Sequence, residues 1–146
     1  MPVLTYPLMP AGLAVPVWIG LDGQAIATLQ ARGRPIPAPV LLRGLLDTCS
    51  DVTAVAANVL RQLGTLPVTT ARTMTAGGMV TVFLHEVSLS IAGPAHVGGF
   101  VLTDPALRVS ELVVSLPDAD VLIGLDVLRT GKMLLDGPAA QFTMDY

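Results

Sequence analysis

The chain has 146 residues, of which 52% are hydrophobic and 13% charged, and its net charge is −3. This length suits a single domain with its own core, and so apolar a composition predicts that part of the surface is covered in a subunit interface. The chain has no run of Lys or Arg, which argues against nucleic acid and an anionic membrane as partners. Its one cysteine, Cys49, excludes an intrachain disulfide and a metal site built on several thiolates.

The N-terminal region does not resemble a targeting segment. No Lys or Arg precedes Arg32, so the basic region of a secretory signal is absent. The apolar stretch over residues 13–21 is too short to cross a bilayer and contains Pro16. We therefore expect a soluble cytoplasmic protein, folded as one domain over residues 1–146, with residues 1–14 as a candidate for a loosely ordered N-terminal arm.

The first regular pattern indicates a β-hairpin. An alternating apolar set predicts a strand, formed by Val15, Val17 and Ile19. Asp22-Gly23 is a typical hairpin bend, and residues 25–29 would continue as the second strand. The proline-rich residues 34–39 then predict an exposed loop or an edge strand, since proline cannot donate to a β-ladder.

A buried strand and a short helix follow. Residues 40–46 are nearly all apolar, which predicts a buried strand that ends at Asp47. Apolar residues then recur at four-residue steps, at Val55, Val59 and Leu63. With Gly64 as a suitable terminator, this spacing predicts one or two helical turns.

The middle of the chain predicts a long hairpin. Its tip is Ala76-Gly77-Gly78. Beyond the tip, two alternating apolar sets are one residue out of phase, and this slip predicts a β-bulge at His85-Glu86 or a bend in a long hairpin arm. The two sets are Val80, Val82 and Leu84, and Val87, Leu89 and Ile91.

The last third predicts more strands and one helix. We expect strands at residues 98–102 and 111–116, separated by a loop around Asp104-Pro105. An apolar strand over residues 120–123 reaches Gly124, a short helix follows, and the chain closes with a terminal hairpin. The helix would occupy residues 125–130, and the hairpin residues 132–135 and 141–146. Together, these predicted elements indicate an all-β domain with one or two short helices.

Two segments of similar pattern carry the chemical information. The first reads Leu45-Leu46-Asp47-Thr48-Cys49-Ser50-Asp51, and the second Asp120-Val121-Leu122-Ile123-Gly124. Each is an apolar strand that runs into a tight turn, and the first turn carries an acid. Together, and with a β pattern between them, these motifs resemble those of the retropepsin-like aspartic proteases, including bacterial and retroelement members. The resemblance covers about residues 15–146.

This resemblance implies a closed acid-protease barrel that works as a homodimer on a peptide or protein substrate. Peptide hydrolysis of this kind uses two carboxylates that share one proton and activate a water molecule. The chain has one candidate catalytic turn, so a two-fold axis would set Asp47 against the Asp47 of a second copy. No cofactor and no metal is implied.

The resemblance also assigns roles to neighbouring residues. Thr48 would form a hydrogen bond across the two-fold axis, Ser50 would support the turn, and Asp51 would lie near the substrate backbone or, alternatively, cap the next helix. A glycine-bearing flap would contact the substrate through Ala76, Gly77 and Gly78. Gly124 would let the following helix pack beneath the turn, and the terminal hairpin would contribute to an intersubunit sheet.

Two positions depart from the pattern of that family. Cys49 stands where the family usually has glycine, and a thiol there would crowd the cleft. Leu125 stands where retroviral enzymes often carry an arginine that pairs with the residue matching Asp51. Cys49 therefore favours an alternative, a catalytically weak or inactive dimeric module of the same fold that binds peptides. A cysteine protease would need His85 or His96 as its base, and neither lies in a recognisable catalytic frame.

Overall fold

The computed structural model describes residues 3–94, 99–112 and 114–146. Most of this chain is β-structure, with three short helices among the described residues. The strands are β1 (Val3–Pro7), β2 (Ala14–Leu21), β3 (Val40–Leu46), β4 (Ala54–Ala56), β5 (Thr69–Thr75), β6 (Gly78–Ala92), β7 (Phe100–Leu112), β8 (Val121–Ile123), β9 (Lys132–Asp136) and β10 (Gln141–Asp145). The helices are α1 (Gly23–Ala31), α2 (Ala57–Leu63) and α3 (Leu125–Leu128).

Six strands close into a barrel. They follow the order β2-β3-β8-β4-β7-β6, and β6 pairs with β2 to close the ring. Strand β5 adds to the outer half of β6 as a hairpin arm. The predicted all-β class with a closed acid-protease-like barrel is therefore confirmed.

The barrel interior is filled by the inward side of each strand. Along β2, the buried core residues are Val15, Val17, Ile19 and Leu21, and along the inner half of β6 they are Val87, Leu89 and Ile91. Helix α2 covers one end with Val59, Leu60 and Leu63. Each such side chain contributes roughly 1.5–3 kcal/mol of burial free energy, so this core fixes the position of every strand end.

A second, three-stranded sheet has the order β1-β10-β9 and is antiparallel throughout. Its inner face is held to the barrel by Tyr6 and Phe142, whose rings stack at a centroid distance of 5.2 Å. The Tyr6 hydroxyl donates to the Ala92 carbonyl at 2.8 Å. Residues 3–7 of the predicted N-terminal arm thus form a paired strand, and the predicted terminal hairpin is confirmed.

The hairpin predicted at Asp22-Gly23 is wrong, because residues 23–31 form helix α1. Asp22 is its N-cap: the Asp22 carboxylate accepts hydrogen bonds from the backbone N–H groups of Gln24 and Ala25. An aspartate that satisfies these two donors stabilises a helix start as well as it stabilises a turn. The proline-rich residues 34–39 form the predicted loop.

The bulge predicted at His85-Glu86 is also wrong. The β6–β7 register runs without interruption from Leu84 to Val87. Two irregularities lie further on, one between Ile91 and Ala92 and one where Leu89 pairs with Asp104 while Val87 pairs with Leu107. This places the extra residue on β7 beside Pro105, which has no N–H to donate, so the predicted loop around Asp104-Pro105 is a bulge within one continuous strand.

The strand predicted over residues 111–116 ends at Leu112, and residues 114–116 are not in a strand. The strand predicted over residues 98–102 begins at Phe100, and Gly98 lies outside the described residues. The other predicted elements are confirmed within a few residues: β3, helix α2 with its left-handed Gly64 terminator, the β5–β6 tip, β8, and α3, which ends at Leu128.

Candidate active site

The candidate site is the turn over residues 47–51, at the end of β3. Strands β3 and β8 run parallel, and Leu46 pairs with Ile123. The Asp47 N–H donates to the Ile123 carbonyl at 2.9 Å. The parallel pairing therefore brings together the two motifs that the sequence places in different halves of the chain.

Local hydrogen bonds orient the Asp47 carboxylate. Its Oδ1 accepts from the Cys49 N–H at 3.0 Å, and the Asp47 carbonyl accepts from the Ser50 N–H at 3.3 Å. This is an Asx turn closed by a backbone bond. Among the described residues, Oδ2 has no hydrogen-bond partner, so one oxygen is held by the turn and the other remains available to a ligand or a second carboxylate.

Gly124 lies directly under the turn. A Cβ at this position would stand 2.8 Å from the Ser50 carbonyl oxygen and 2.8 Å from the Val52 carbonyl carbon. The neighbouring Leu125 N–H donates to the same Ser50 oxygen at 2.7 Å. Glycine is needed because the backbone of α3 and the backbone of the turn are in direct contact.

A second contact joins the turn to α3 through side chains. Thr53 is fully buried, and its N–H and hydroxyl donate to the two Asp126 carboxylate oxygens at 2.9 Å and 2.7 Å. The Thr53 hydroxyl oxygen also accepts from the Gly124 N–H at 3.0 Å. Charge-assisted bonds of this kind are short and strong, so Asp126 fixes the end of the turn to the helix.

Sequence reasoning did not assign a role to Thr53 or Asp126. A signal was present, since Asp126 is an acid in the first turn of a helix, where carboxylates are favoured. The partner could not be read from the sequence, because Thr53 contacts Asp126 only through the parallel pairing of distant strands.

The remaining turn residues differ in exposure. Thr48, Cys49 and Asp51 are exposed, and Ser50 is half-buried. The Ser50 hydroxyl donates to the Val52 carbonyl at 2.7 Å, and the Asp51 carbonyl accepts from the Asp126 N–H at 3.2 Å. Asp51 does not cap helix α2, whose N-cap is Ala56. The side chains of Thr48 and Asp51 make no hydrogen bond within the described chain, so both can interact with molecules outside it.

The predicted flap residues form the tip of the β5–β6 hairpin. Thr75 pairs with Gly78, and Ala76 and Gly77 are the exposed residues of the turn. The Thr75 hydroxyl donates to the Gly78 carbonyl at 2.9 Å and accepts from the Gly77 N–H at 3.2 Å. Gly78 has a φ of 110°, a value that only glycine adopts readily. Among the described residues, the hydrogen bonds of this tip are local, and none joins it to the Asp47 turn.

His85 belongs to a separate buried cluster and does not contact Cys49. It is 3% exposed; its Nδ1 lies 2.9 Å from the Thr65 hydroxyl and its Nε2 lies 3.0 Å from a Glu111 carboxylate oxygen. The other predicted base for a cysteine protease, His96, lies outside the described residues. Within the described chain, both ring nitrogens of His85 are therefore engaged by residues other than Cys49.

A cavity outside the candidate site does not include the Asp47 turn. It has a volume of about 900 Å³ and lies between the three-stranded sheet and strands β2 and β3, where its walls include Tyr6, Met9, Pro16 and Leu42. Over residues 3–94, 99–112 and 114–146, no cluster of three or more His, Cys, Asp and Glu side chains could hold a metal ion. No helix in this part of the chain is long and apolar enough to cross a membrane.

This chain resembles known proteins in structure but not in sequence. No protein-family model matches the sequence, and no curated protein matches it. Among solved structures, the chain is similar to a retropepsin-like aspartic protease from Rickettsia conorii, with a TM-score of 0.60 and 12% sequence identity. The match covers 99% of this chain and 91% of that one. At this identity the likeness shows the fold, which is that of a retropepsin-like barrel.

Proposed function

We propose that this chain is one subunit of a homodimeric aspartic endopeptidase, in which Asp47 and the partner's Asp47 form the catalytic pair. The observation that carries the proposal is the anchored turn: Asp47 ends a barrel strand, and Gly124, Thr53 and Asp126 hold its loop from below. Such anchoring is what a catalytic carboxylate needs, because its position must hold to a fraction of an ångström. The retropepsin-like fold supports the same proposal, although fold alone does not establish activity.

A dimer explains why one chain has only half of a site. The Asp47 turn does not line the cavity of about 900 Å³ beside the three-stranded sheet, and Thr48 and Cys49 are exposed. A second copy placed on a two-fold axis would cover these residues and create the cleft between the subunits. Thr48 would then have a partner for its hydroxyl, which makes no hydrogen bond within the described chain.

The chemistry follows from two close carboxylates. Two like charges about 3 Å apart cannot both ionise, so the pair retains one proton. The ionised carboxylate takes a proton from water, the water oxygen attacks the scissile carbonyl, and the protonated carboxyl donates its proton to the carbonyl oxygen, which gives a tetrahedral diol. The first carboxyl then gives its proton to the amide nitrogen, the C–N bond breaks and the amine leaves, while a diol hydroxyl returns a proton to the second carboxylate. The pair titrates as a unit, which predicts a bell-shaped dependence of rate on pH at acidic values.

The substrate would be an extended peptide held under the β5–β6 hairpins. Backbone amides at Gly77 and Gly78 can approach a peptide closely because they carry no side chain. Strand-like binding uses main-chain hydrogen bonds for affinity and pockets for side-chain selection. Exposed Met74 and Met79 on the hairpin arm favour apolar residues next to the cleaved bond.

The test is a peptide-library digest from acidic to neutral pH with the parent protein and Asp47→Asn. The proposal expects cleavage by the parent that Asp47→Asn abolishes and that a pepstatin-type inhibitor blocks. Cleavage that survives Asp47→Asn would overturn it.

One observation favours a second function, a dimeric peptide-binding module without catalysis. The Cys49 side chain is exposed at the turn, beside the carboxylate that its backbone binds. This module would bind peptides equally well with Asp47→Asn and would cleave none at any pH.

A further inference from the structure

The cavity of about 900 Å³ between the three-stranded sheet and strands β2 and β3 has the size of a ligand site. Small-molecule sites in proteins have volumes of roughly 300–1,000 Å³. Its lining residues come from β1, β2, β3, the β9–β10 hairpin and the segments beside them, and they include no residue of the Asp47 turn or of the β5–β6 tip. The cavity is therefore separate from the proposed catalytic site.

The walls of this cavity are mainly apolar. Tyr6 and Val15 are buried and form part of the hydrophobic core behind it. Two further wall residues are large apolar side chains that the fold leaves uncovered, since Met9 is 37% and Leu41 is 54% exposed. Apolar surface that is exposed and gathered in one place often marks a binding site in a soluble protein.

The strand pairing explains why Leu41 is uncovered. Along one edge, β3 pairs with β2 from Val40 to Leu45. Along its other edge, β8 pairs only with residues 44–46, and the Asp120 N–H adds one bond to the Arg43 carbonyl at 3.1 Å. The first half of β3 thus borders the cavity without a second strand beside it in the described chain.

Arg43 supplies the only charge among the lining residues that the structure describes. The described chain forms two ion pairs between side chains, and neither includes Arg43. Asp120 contacts Arg43 through the backbone bond and forms no ion pair with its guanidinium. A guanidinium without a carboxylate partner favours an anion, and its planar fork matches the two oxygens of a carboxylate.

We propose that this cavity binds a linear aliphatic carboxylate, the chemical class of a fatty acid. The carboxylate would bind to Arg43, and the alkyl chain would lie against the apolar wall that includes Met9 and Leu42. An alkyl chain fits this wall better than a peptide does, because a peptide would leave backbone amides without hydrogen-bond partners. The proposal goes beyond the proposed function and does not depend on it.

The first experiment compares laurate with dodecanol, which has the same chain length and no charge. Calorimetric titration of the full-length protein, below the micelle concentration of laurate, measures both dissociation constants. The parent protein should bind laurate roughly tenfold more tightly than dodecanol, because only laurate forms a charge-assisted bond with Arg43. The protein carries a net charge of −3, so a preference for the anion requires a local cation.

Substitutions of Arg43 test whether that cation is the one in the cavity. Arg43→Gln should abolish the preference by weakening laurate alone, and an unchanged affinity for dodecanol shows that the variant is folded. Arg43→Lys keeps the charge and should keep most of the preference. Arg61→Gln is the control, because it removes the same charge from an exposed position on α2, outside the cavity, and should leave both affinities unchanged.

The second experiment locates the ligand without a substitution in the cavity wall. In protein labelled at the methionine methyl groups, the NMR signal of Met9 should shift during the laurate titration with the same dissociation constant. The signal of Met74, which is 71% exposed on the hairpin arm, should stay in place. Met9→Leu assigns the Met9 signal. A Met9 signal that does not respond would overturn the proposal.

Three calorimetric results would also overturn it: no binding of laurate, equal affinities for laurate and dodecanol, or a preference that survives Arg43→Gln. Binding that weakens as the protein concentration rises would show that a second copy covers the cavity, and would overturn it too. Asp47→Asn should bind laurate as the parent does. Failure of the fatty-acid site and failure of the protease are therefore distinguished, since peptide cleavage alone tests the latter.

Discussion

A Cβ added to Gly124 would stand 2.8 Å from the carbonyl oxygen of Ser50. Real Cβ atoms essentially never approach a backbone oxygen so closely, so the turn or the helix must move in Gly124→Ala. We expect a loss of about 1–3 kcal/mol in the free energy of unfolding, typical of overpacking, and a larger proportional loss of activity. Chemical denaturation measures the first and peptide cleavage the second. Gly23→Ala is the matched control, because its Cβ would meet open space; equal losses in the two variants would contradict the contact.

The Thr53 hydroxyl should matter more than the Thr53 methyl group. It donates to Asp126 and accepts from the Gly124 N–H. Thr53→Val keeps the shape but leaves a carboxylate oxygen and a buried N–H without this partner, which should cost about 2–4 kcal/mol. Thr53→Ser keeps both bonds and should cost less. Thermal and denaturant unfolding of the two variants would test this, and a Val variant as stable as the Ser variant would refute the role.

Cys49 should limit catalysis rather than folding. Its side chain is exposed, and only its backbone N–H binds Asp47. Cys49→Gly and Cys49→Ala should therefore change stability by less than about 1 kcal/mol, as is usual for exposed positions away from special features. If the thiol crowds the cleft, Cys49→Gly should raise kcat/KM for peptides. Unchanged kinetics would show that the thiol does not obstruct the substrate.

The protein should lose stability in strongly alkaline solution. Burial raises the pKa of Tyr6 to about 12, helped by the charge of Tyr146, and burial raises the pKa of Tyr146 to about 12. In the unfolded chain the pKa of tyrosine is near 10, so the unfolded chain releases its tyrosine protons at a lower pH than the folded protein does. The stabilisation is complete below pH 10 and is lost between about pH 10 and 12.

Tyr6→Phe tests this pH dependence. The variant loses the hydrogen bond to Ala92, at a cost of about 1 kcal/mol near pH 7. It also loses one ionisable group, so its stability should fall less steeply between pH 10 and 12 than that of the parent protein. Denaturant titrations at several pH values measure the slope, and parallel curves would contradict the assignment to Tyr6.

The sequence predicted the barrel strands and the position of the acid turn because both depend on local patterns. Residues 40–46 are apolar and Asp47 follows them, which suffices to predict a buried strand ending in an acid. Asp22-Gly23 was misinterpreted because a hairpin bend and a helix N-cap use the same residue types. Helix α1 has no fully buried residue, and the short apolar set that packs against the core, Ala25, Ile26 and Leu29, was equally compatible with a strand.

Long-range polar contacts could not be predicted from the sequence. The phase change that suggested a bulge at His85 lies where the buried side of β6 passes from Val82 to His85, and His85, bound to Thr65 and Glu111, shares the buried side of Val87. Thr53 and Asp126 form their bonds because β3, β4 and β8 are neighbours in the barrel. Neither contact has a signature in the spacing of residues along the chain.

The central claim is that Asp47 is the catalytic acid, and its most direct test is the rate of peptide hydrolysis as a function of pH. The parent protein, Asp47→Asn and Asp118→Asn, an exposed acid outside the site, should be compared on one cleaved peptide. The account predicts bell-shaped profiles at acidic pH for the parent and Asp118→Asn, and no rate above background for Asp47→Asn. Hydrolysis by Asp47→Asn with the profile of the parent would contradict it.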